Sequence, residues 1–151
     1  MKNLSSFIVV LTVLSLSGIQ CKSSDHKTIF TFRDVIDYSR YRWDNDSSIL
    51  VFSGNLKASL KTVSLKPGRY TITFKAEGNI AQKGLPNFSI SFGELKILNQ
   101  EIKEGINVYK VNFEIQKPMS GSLGFAFTND YSSPTEDRNI FQHFPVYLNP
   151  Y

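Results

Sequence analysis

Short stretches in which apolar and polar residues alternate are the feature that most restricts how this chain can fold. In the clearest, residues 70–76, apolar side chains at even positions alternate with threonine or lysine at odd positions. Similar alternation recurs at 88–92, 109–115 and 123–127. Because successive side chains of a strand point to opposite faces of a sheet, each stretch predicts a half-buried β-strand.

Weaker strand signals fill the intervals between these stretches. Apolar or loosely alternating runs occur at 28–33, 49–53, 56–65, 95–98 and 140–148. We interpret 34–46 as a loop or short helix, 79–85 as a loop and 101–105 as a polar connector. Short strands at regular intervals, without a helical period, predict an all-β chain folded as an antiparallel β-sandwich. The length of 151 residues suits one domain, which we place at 28–151.

Residues 1–20 have the composition of an export signal. Lys2 gives a positive start, residues 7–16 form an apolar run, and small residues follow at 15, 17 and 18. The apolar run is too short to cross a membrane as a helix. We expect this segment to be removed by cleavage; the alternative is that it stays uncleaved as a signal anchor.

Cys21 follows this signal directly and is the only cysteine, so no intramolecular disulfide can form. Its position resembles that of the lipidated first residue of bacterial lipoproteins, and residues 21–27 supply the polar tether that such an anchor needs. The sequence Gly-Ile-Gln-Cys departs from the common Leu-Ala-Gly-Cys box and is closer to the looser boxes of spirochaete lipoproteins. We predict an exported protein that is anchored to the bacterial outer membrane only through this lipid, or that is secreted. Ordinary cleavage near Gly18, which leaves a secreted protein with a free thiol, is the alternative.

Charge and residue content argue against two functional classes. The formal charge of +4 comes from basic residues scattered singly along the chain, whereas a nucleic-acid-binding surface needs a basic stripe. The histidines are limited to His26 and His143, and no Gly-x-Ser-x-Gly nucleophile motif occurs. We expect neither nucleic-acid binding nor enzymatic activity.

A polar segment that contains Asp130, Glu136 and Asp137 separates the strand at 123–127 from the apolar run that begins at Ile140. We interpret these two strands as a hairpin, whose ends hold Asp130 and Asp137 close together. Such carboxylates suit Ca²⁺, which takes about six to eight oxygen ligands in irregular geometry. Two other interpretations remain open, since the segment can be an ordinary turn and Arg138 can neutralise either aspartate. A glycosidase pair is disfavoured because a carboxyl group kept protonated needs an apolar pocket.

Residues 127–131 (Phe-Thr-Asn-Asp-Tyr) and 137–140 (Asp-Arg-Asn-Ile) resemble a hallmark of the calcium-dependent, xylan-binding carbohydrate-binding modules of families 60 and 36. Those families have an aromatic-Thr-Asn-Asp strand end followed, after a short loop, by Asp-Arg-Asn-Leu. A second, less specific block matches at 76–78, Ala81 and 85–90, and the resemblance covers 67–148 in all. The chain departs from the pattern at Asn79, at Gln142 and His143, where Val-Asp is usual, and in a longer loop.

The resemblance implies a jelly-roll sandwich that binds Ca²⁺ and, through the ion, a polysaccharide such as xylan, galactan or a cellulose-like chain. It implies that Asp130 and Asp137 give side-chain oxygens to the ion and that the backbone carbonyl of Glu136 adds another. Open coordination positions would be filled by water, and then by neighbouring hydroxyls of a sugar. Further residues expected to bind the ligand or to shape the loop are Asn129, Tyr131, Arg138 and Asn139.

Aromatic and acidic residues also cluster at 38–46. Tyr41 and Trp43 can form a platform for sugar stacking or cover one end of the hydrophobic core. We keep Trp43 as a candidate ligand-binding residue. The Asp-Asn-Asp sequence at 44–46 is similar to the start of an EF-hand loop, but the later glycine and glutamate of such a loop are absent.

A different functional class fits the same sequence. An all-β surface lipoprotein can bind a protein partner, as an adhesin does, with the acidic segment serving only as scaffold. Dependence of binding on calcium separates this alternative from polysaccharide binding.

The predicted anchor can be tested at Cys21. We expect Cys21→Ser to move the protein from the membrane fraction to the soluble fraction, because the substituted residue cannot carry the lipid that gives membrane affinity. Cell fractionation followed by immunoblotting measures this shift. Lys22→Ser, in the adjacent tether, is the control and should leave the protein in the membrane fraction. Retention of the Cys21→Ser protein in that fraction would show that the anchor is not at this residue.

Overall fold

The computed structural model describes residues 27–38 and 48–151. The predicted export signal, Cys21 and Trp43 lie outside the described residues, and their roles stay predictions. No helix in the described part of the chain is long and apolar enough to cross a membrane.

In these residues ten β-strands and one 3-10 turn, Phe32–Asp34, occur. The strands are β1 (Thr28–Phe30), β2 (Val35–Tyr38), β3 (Ile49–Phe52), β4 (Lys57–Leu65), β5 (Gly68–Gly78), β6 (Asn87–Phe92), β7 (Leu95–Glu101), β8 (Asn107–Ile115), β9 (Met119–Phe127) and β10 (Ile140–Pro150).

The strands form two antiparallel sheets. One has the order β1-β10-β5-β8, with β3 also paired to β10, and the other has the order β2-β4-β9-β6-β7. Except for the β6–β7 hairpin, consecutive strands from β3 to β10 therefore lie in opposite sheets in the jelly-roll order, β3-β10-β5-β8 facing β4-β9-β6-β7. The prediction of an all-β antiparallel sandwich is confirmed.

The prediction that β9 and β10 form a hairpin is wrong. β9 pairs with β4 and β6 in one sheet, whereas β10 pairs with β1, β3 and β5 in the other. Both strands bury one face, and in a jelly roll the inner faces of consecutive strands meet across the core instead of side by side. The segment 128–139 is therefore a crossover between the two sheets. The loop 79–86, which links β5 to β6, crosses between the same sheets.

The interpretation of 34–46 as a loop or helix is wrong at its start. Val35–Tyr38 is a strand, and it pairs with the edge of β4, where Asp37 lies opposite Ser59. Val35 packs against the hydrophobic core. Pairing with an exposed strand edge, which a local pattern cannot reveal, decides the structure of this short segment.

Phenylalanine side chains from both sheets meet at the centre of the core. Phe88 of β6 is fully buried, and its ring centroid lies 4.8 Å from that of Phe52 and 6.4 Å from that of Phe74 in the opposite sheet. Within its own sheet, the centroid of Phe125 is 5.5 Å away. The alternation found in the sequence thus directs large aromatic side chains into one interface between the sheets.

Strand β10 carries an irregularity at the position where the sequence departs from the resembled family. Gln142 is fully buried on its inner face, and both side-chain polar atoms lack a hydrogen-bond partner. The register with β5 shifts between His143 and Tyr147, and the Phe144–Pro145 peptide bond is cis. The first part of β10 pairs with β3, and the part after the shift pairs with β1.

Replacing the central phenylalanine tests this description of the core. Phe88→Ala should lower the free energy of unfolding by about 3–5 kcal/mol, because it removes ring contacts with both sheets and leaves a cavity. Urea denaturation followed by tryptophan fluorescence or circular dichroism measures the change. Ile106→Ala is the control, since Ile106 is 61% exposed, and its effect should be within about 0.5 kcal/mol. Equal effects of the two substitutions would contradict the placement of Phe88.

Candidate functional site

The crossover 128–139 is an ordered small hairpin. Ser132 and Asp137 form an antiparallel bridge, and two backbone hydrogen bonds flank it. The Ser133 N–H donates to the Glu136 carbonyl at 2.7 Å, and the Arg138 N–H donates to the Tyr131 carbonyl at 2.8 Å. Pro134 and Thr135 form the turn between these arms. We call residues 128–139 the acidic hairpin.

The register of the acidic hairpin decides which side chains meet. Extended by two residues in the same register, the isolated bridge would set Asp130 opposite Asn139, and two-residue alternation puts Asp137 on the same face as Asn139. The side-chain amide of Asn139 donates to Asp137 Oδ2 at 2.8 Å, as this arrangement requires. Tyr131 and Arg138 share the opposite face, where the guanidinium carbon lies 6.0 Å from the centroid of the tyrosine ring.

Two side-chain oxygens on the acidic face are buried without a hydrogen-bond donor. They are Oδ1 of Asp130 and Oδ1 of Asn139, and neither has a partner among the described residues. A buried oxygen left without a partner costs about 1–3 kcal/mol, and more when it belongs to a charged group. Carboxylate and amide oxygens are the ligands that Ca²⁺ prefers. Asp130, Asp137 and Asn139 therefore supply the oxygen types that a hard cation prefers.

Glu136 has a different position from that of the two aspartates. Its backbone carbonyl, expected to coordinate the ion, accepts hydrogen bonds from both the N–H and the hydroxyl of Ser133, the latter at 3.2 Å. Its carboxylate accepts the Gln82 N–H at 2.9 Å. Within residues 27–38 and 48–151, no three His, Cys, Asp or Glu side chains come together closely enough to hold a metal. Amide oxygens must therefore contribute to any ion site here.

The side chain of Arg138 is buried beneath the rest of the acidic hairpin and does not neutralise the hairpin's aspartates. Only 8% of the residue is exposed, and the guanidinium donates to the carbonyl of Asn129 at 2.6 Å and to the carbonyl of Ala81. Gly84 makes this approach feasible, because a Cβ there would lie 2.8 Å from Nη2 of Arg138. Arg138 thus ties the acidic hairpin to the loop between β5 and β6.

Asn129 also has a supporting position. Its side-chain amide donates to the Leu85 carbonyl at 2.9 Å, and its Oδ1 accepts the Asn87 N–H at 2.7 Å. With both amide atoms bound to the chain, Asn129 fixes the start of the acidic hairpin against β6. Of the predicted ligand-binding residues, Asp130, Asp137 and Asn139 share a face, whereas Asn129 and Arg138 lie beneath it.

Some residues around the site were not singled out in the sequence. The Oδ1 of Asn55 accepts the Asp130 N–H at 3.0 Å, and Oδ1 of Asn87 is a further buried oxygen without a donor. Asn55 lies between β3 and β4 and received no role, whereas Asn87 is the first residue of β6 and falls within the block at 85–90 without a role of its own. An asparagine that lies at a strand end beside a candidate ion site is the signal that could have indicated them.

A groove of about 340 Å³ on the outer face of the second sheet is another place where a ligand could bind. Gly124 and Ala126 of β9 form its floor, and Ser59 and Ser91 lie on either side of Gly124. The aromatic residue among its lining positions, Phe125, is turned into the core and is 1% exposed. The groove offers hydroxyl groups but no stacking platform.

Comparison with known proteins gives a fold likeness only. No protein-family model and no curated protein sequence matches the chain. The CBM36-1 domain of a multidomain xylanase, from the hindgut metagenome of Trinervitermes trinervoides, is similar with a TM-score of 0.62 and 11% identity, over 83% of this chain and 98% of that one. The C-terminal CBM6 of LamC, a marine laminarinase from Zobellia galactanivorans, has a TM-score of 0.60 and 7% identity, over 82% and 99% of the two chains. A family 29 carbohydrate-binding module mutant in complex with mannohexaose has a TM-score of 0.53 and 9% identity, over 82% and 92%. The sandwich is therefore of the kind found in these carbohydrate-binding modules.

The supporting role of Arg138 can be tested directly. Arg138→Met keeps the length of the side chain but leaves the carbonyls of Ala81 and Asn129 without their charged donor. We expect the free energy of unfolding to fall by about 2–4 kcal/mol. We also expect faster hydrogen–deuterium exchange at the amides of Gln82 and Asn87, measured by mass spectrometry.

Arg69→Met is the matched control for this substitution. Arg69 is exposed at the start of β5, at the other end of the strand from the acidic hairpin. Its substitution should change neither stability nor exchange at residues 79–87. Unaltered exchange there in the Arg138→Met protein would contradict the proposed link between the two loops.

Proposed function

We propose that this protein binds polysaccharide without cleaving it, in a calcium-dependent manner, at the acidic hairpin. The observation that carries this proposal is the pair of buried, unpartnered oxygens of Asp130 and Asn139 on the same face as Asp137. The likeness of the sandwich to carbohydrate-binding modules, which include a domain of a xylanase and a module in complex with mannohexaose, supports the ligand class.

The residues of the acidic face have distinct roles in this proposal. Asp130 and Asp137 supply negative charge and side-chain oxygens, and Asn139 adds a neutral oxygen while it orients the Asp137 carboxylate. The carbonyl of Glu136 can join them only if its hydrogen bonds with Ser133 are released. Bound Ca²⁺ supplies open coordination positions that two neighbouring hydroxyls of a sugar can fill.

Binding without hydrolysis is consistent with the chemistry of the hairpin. Asp130 is half-buried and Asp137 is exposed, so neither carboxylate lies in an enclosed apolar pocket. A general acid needs a carboxyl group held protonated in apolar surroundings, which this polar face does not provide. We infer that β-linked chains with free neighbouring hydroxyls, such as xylan, galactan or cellulose-like chains, remain intact when bound.

The location of the protein belongs to the same proposal. We propose export followed by anchoring through a lipid at Cys21, so that residues 22–27 separate the sandwich from the membrane. The described part of this tether ends at Lys27, whose ammonium lies 4.1 Å from the ring centroid of Tyr147 on β10. This contact holds Lys27 against the first sheet, whereas the acidic hairpin extends from the end of β9 and the start of β10.

Calcium removal and two aspartate substitutions test the proposal. Affinity electrophoresis or titration calorimetry with xylan should detect binding in millimolar Ca²⁺ and none in chelator, with recovery after Ca²⁺ is restored. Asp130→Ala and Asp137→Ala should each lower the affinity at least about tenfold, equivalent to about 1.4 kcal/mol. Ca²⁺ at a hundredfold excess over its dissociation constant should raise the free energy of unfolding by about 2.7 kcal/mol.

Asp37→Ala is the matched control, because Asp37 is an exposed aspartate on β2 and outside the acidic hairpin. It should bind Ca²⁺ and polysaccharide as the unsubstituted protein does. Undiminished polysaccharide binding in chelator would rule out the calcium mechanism and would favour the groove over Gly124 as the binding site. Binding to a protein partner, with no polysaccharide retained at millimolar concentration, would favour the adhesin-like alternative.

A further inference from the structure

Burial along the chain shows that the face carrying Asn139 continues onto the outer face of the first sheet. Arg138, Ile140 and Gln142 are buried. The residues between them, Asn139 and Phe141, are half-buried. Because successive side chains of an extended chain point to opposite sides, Asn139 and Phe141 share the side that faces away from the core. The row that begins at the acidic hairpin therefore runs on to Phe141 without interruption.

Backbone pairing between β10 and β5 extends past the start of β10 and supports this continuity. Ile140 lies opposite Gly78 in the sheet, and one position further out the Asn79 N–H donates to the Asn139 carbonyl at 3.0 Å. The side-chain amide of Asn139 in turn donates to Asp137 Oδ2 at 2.8 Å. The face that carries Asp137 and Asn139 is thus joined to the first sheet by hydrogen bonds as well as by the chain.

Phe141 has a neighbour on each side in this outer face. In register it lies opposite Val51 of β3 and opposite Glu77 of β5. Side chains of directly opposed residues share a face, with Cβ atoms about 4.5–5.5 Å apart. All three residues are half-buried, so each keeps an exposed part. An aromatic residue in this position offers apolar area on which a sugar ring can pack.

Glu77 provides a hydrogen-bond acceptor beside Phe141. Its side chain is 35% exposed, and its Oε1 lies 3.7 Å from Nε2 of His143, a distance too long for a hydrogen bond. No N–H or O–H group in the described part of the chain donates a hydrogen bond to this carboxylate. A carboxylate can only accept, and the hydroxyl of a sugar can donate to it. The Glu77 oxygens are therefore available to a ligand that lies over Phe141.

We propose that the polysaccharide site extends from the face of Asp137 and Asn139 along β10 onto the outer face of the first sheet, and that it holds more than one sugar unit. One unit binds at the acidic hairpin, while the next unit packs on Phe141 and donates a hydroxyl to Glu77. This inference rests on the proposed function, since the first unit brings the second to Phe141. The site then selects chains over single sugars.

Ligands of one sugar type and different length test this extension. Competition against immobilised xylan in millimolar Ca²⁺ should show that xylotriose binds at least about tenfold more tightly than xylose, because only the longer ligand reaches both Phe141 and Glu77. Equal affinities of the two ligands would show that the site ends at the acidic hairpin.

Substitutions of Phe141 separate sugar binding from folding. Phe141→Ala should lower the affinity for xylotriose at least about fivefold, and Phe141→Leu, which keeps apolar packing without an aromatic ring, should lower it about two- to threefold. Both variants should keep the affinity for Ca²⁺, measured by calorimetry without sugar. Tyr147→Ala is the matched control, since Tyr147 is a half-buried aromatic residue of β10 beyond the register shift. It should bind xylotriose as the unsubstituted protein does.

The acceptor is tested in the same way. Glu77→Ala should lower the affinity for xylotriose about threefold to tenfold, because a hydrogen bond to a charged group is lost. The affinity for xylose should not change. Glu114→Ala is the control, because Glu114 is an exposed glutamate of β8, at the end of the first sheet remote from the acidic hairpin. It should have no effect on either ligand.

The outcomes distinguish this inference from the function on which it rests. If binding depends on Ca²⁺ and the variants of Phe141 and Glu77 keep the full affinity for xylotriose, the extension is overturned and the proposed function stands. If xylan is not bound, or its binding does not respond to chelator, both are overturned. Loss of the preference for xylotriose over xylose in Phe141→Leu, with Ca²⁺ affinity intact, supports the inference.

Discussion

The buried guanidinium of Arg138 is the interaction on which the arrangement of the candidate site depends. It donates to the carbonyls of Ala81 and Asn129, which belong to two of the crossovers between the sheets, 79–86 and 128–139. Neither crossover is a strand of either sheet, so sheet pairing alone does not fix the position of one crossover relative to the other. The hydrogen bonds of Arg138 supply that link. A charged donor to two carbonyls is stronger and more directional than neutral hydrogen bonds. The face that carries Asp130, Asp137 and Asn139 is thus supported from beneath by the positively charged guanidinium of Arg138.

The strands of the sandwich could be predicted from the sequence because their signal is local. Tyr70 to Ala76 alternates without interruption, and all four apolar residues of that stretch are buried. The strand at Val35 could not be predicted, since pairing with β4 decides it. The false hairpin of β9 and β10 has a related cause. Alternation shows that two neighbouring strands each have a buried face, but it does not show whether those faces lie in one sheet or opposite each other.

The candidate site could be predicted in its composition but not in its division of roles. Asp130, Asp137 and Asn139 share a face because of the register set at the Ser132–Asp137 bridge, and register depends on the position of a turn. Asn129 and Arg138 belong to the same motif but lie underneath. The tight turn between Ala81 and Gly84 gave no sequence signal, because Gln82 and Lys83, which have left-handed backbone angles there, are not the residues that such a turn favours.

The position of the site at two crossovers has a consequence for the order in which the molecule forms. Its components come from Asn55, from 79–87 and from 129–139, so they meet only after strands distant in sequence have paired. Contacts of such long range form slowly compared with local turns and helices. A partly folded chain therefore lacks the candidate site, and any ligand of that site can act only on molecules that have completed both sheets. Ligand binding then slows the return to the unfolded state instead of guiding the chain towards the folded one.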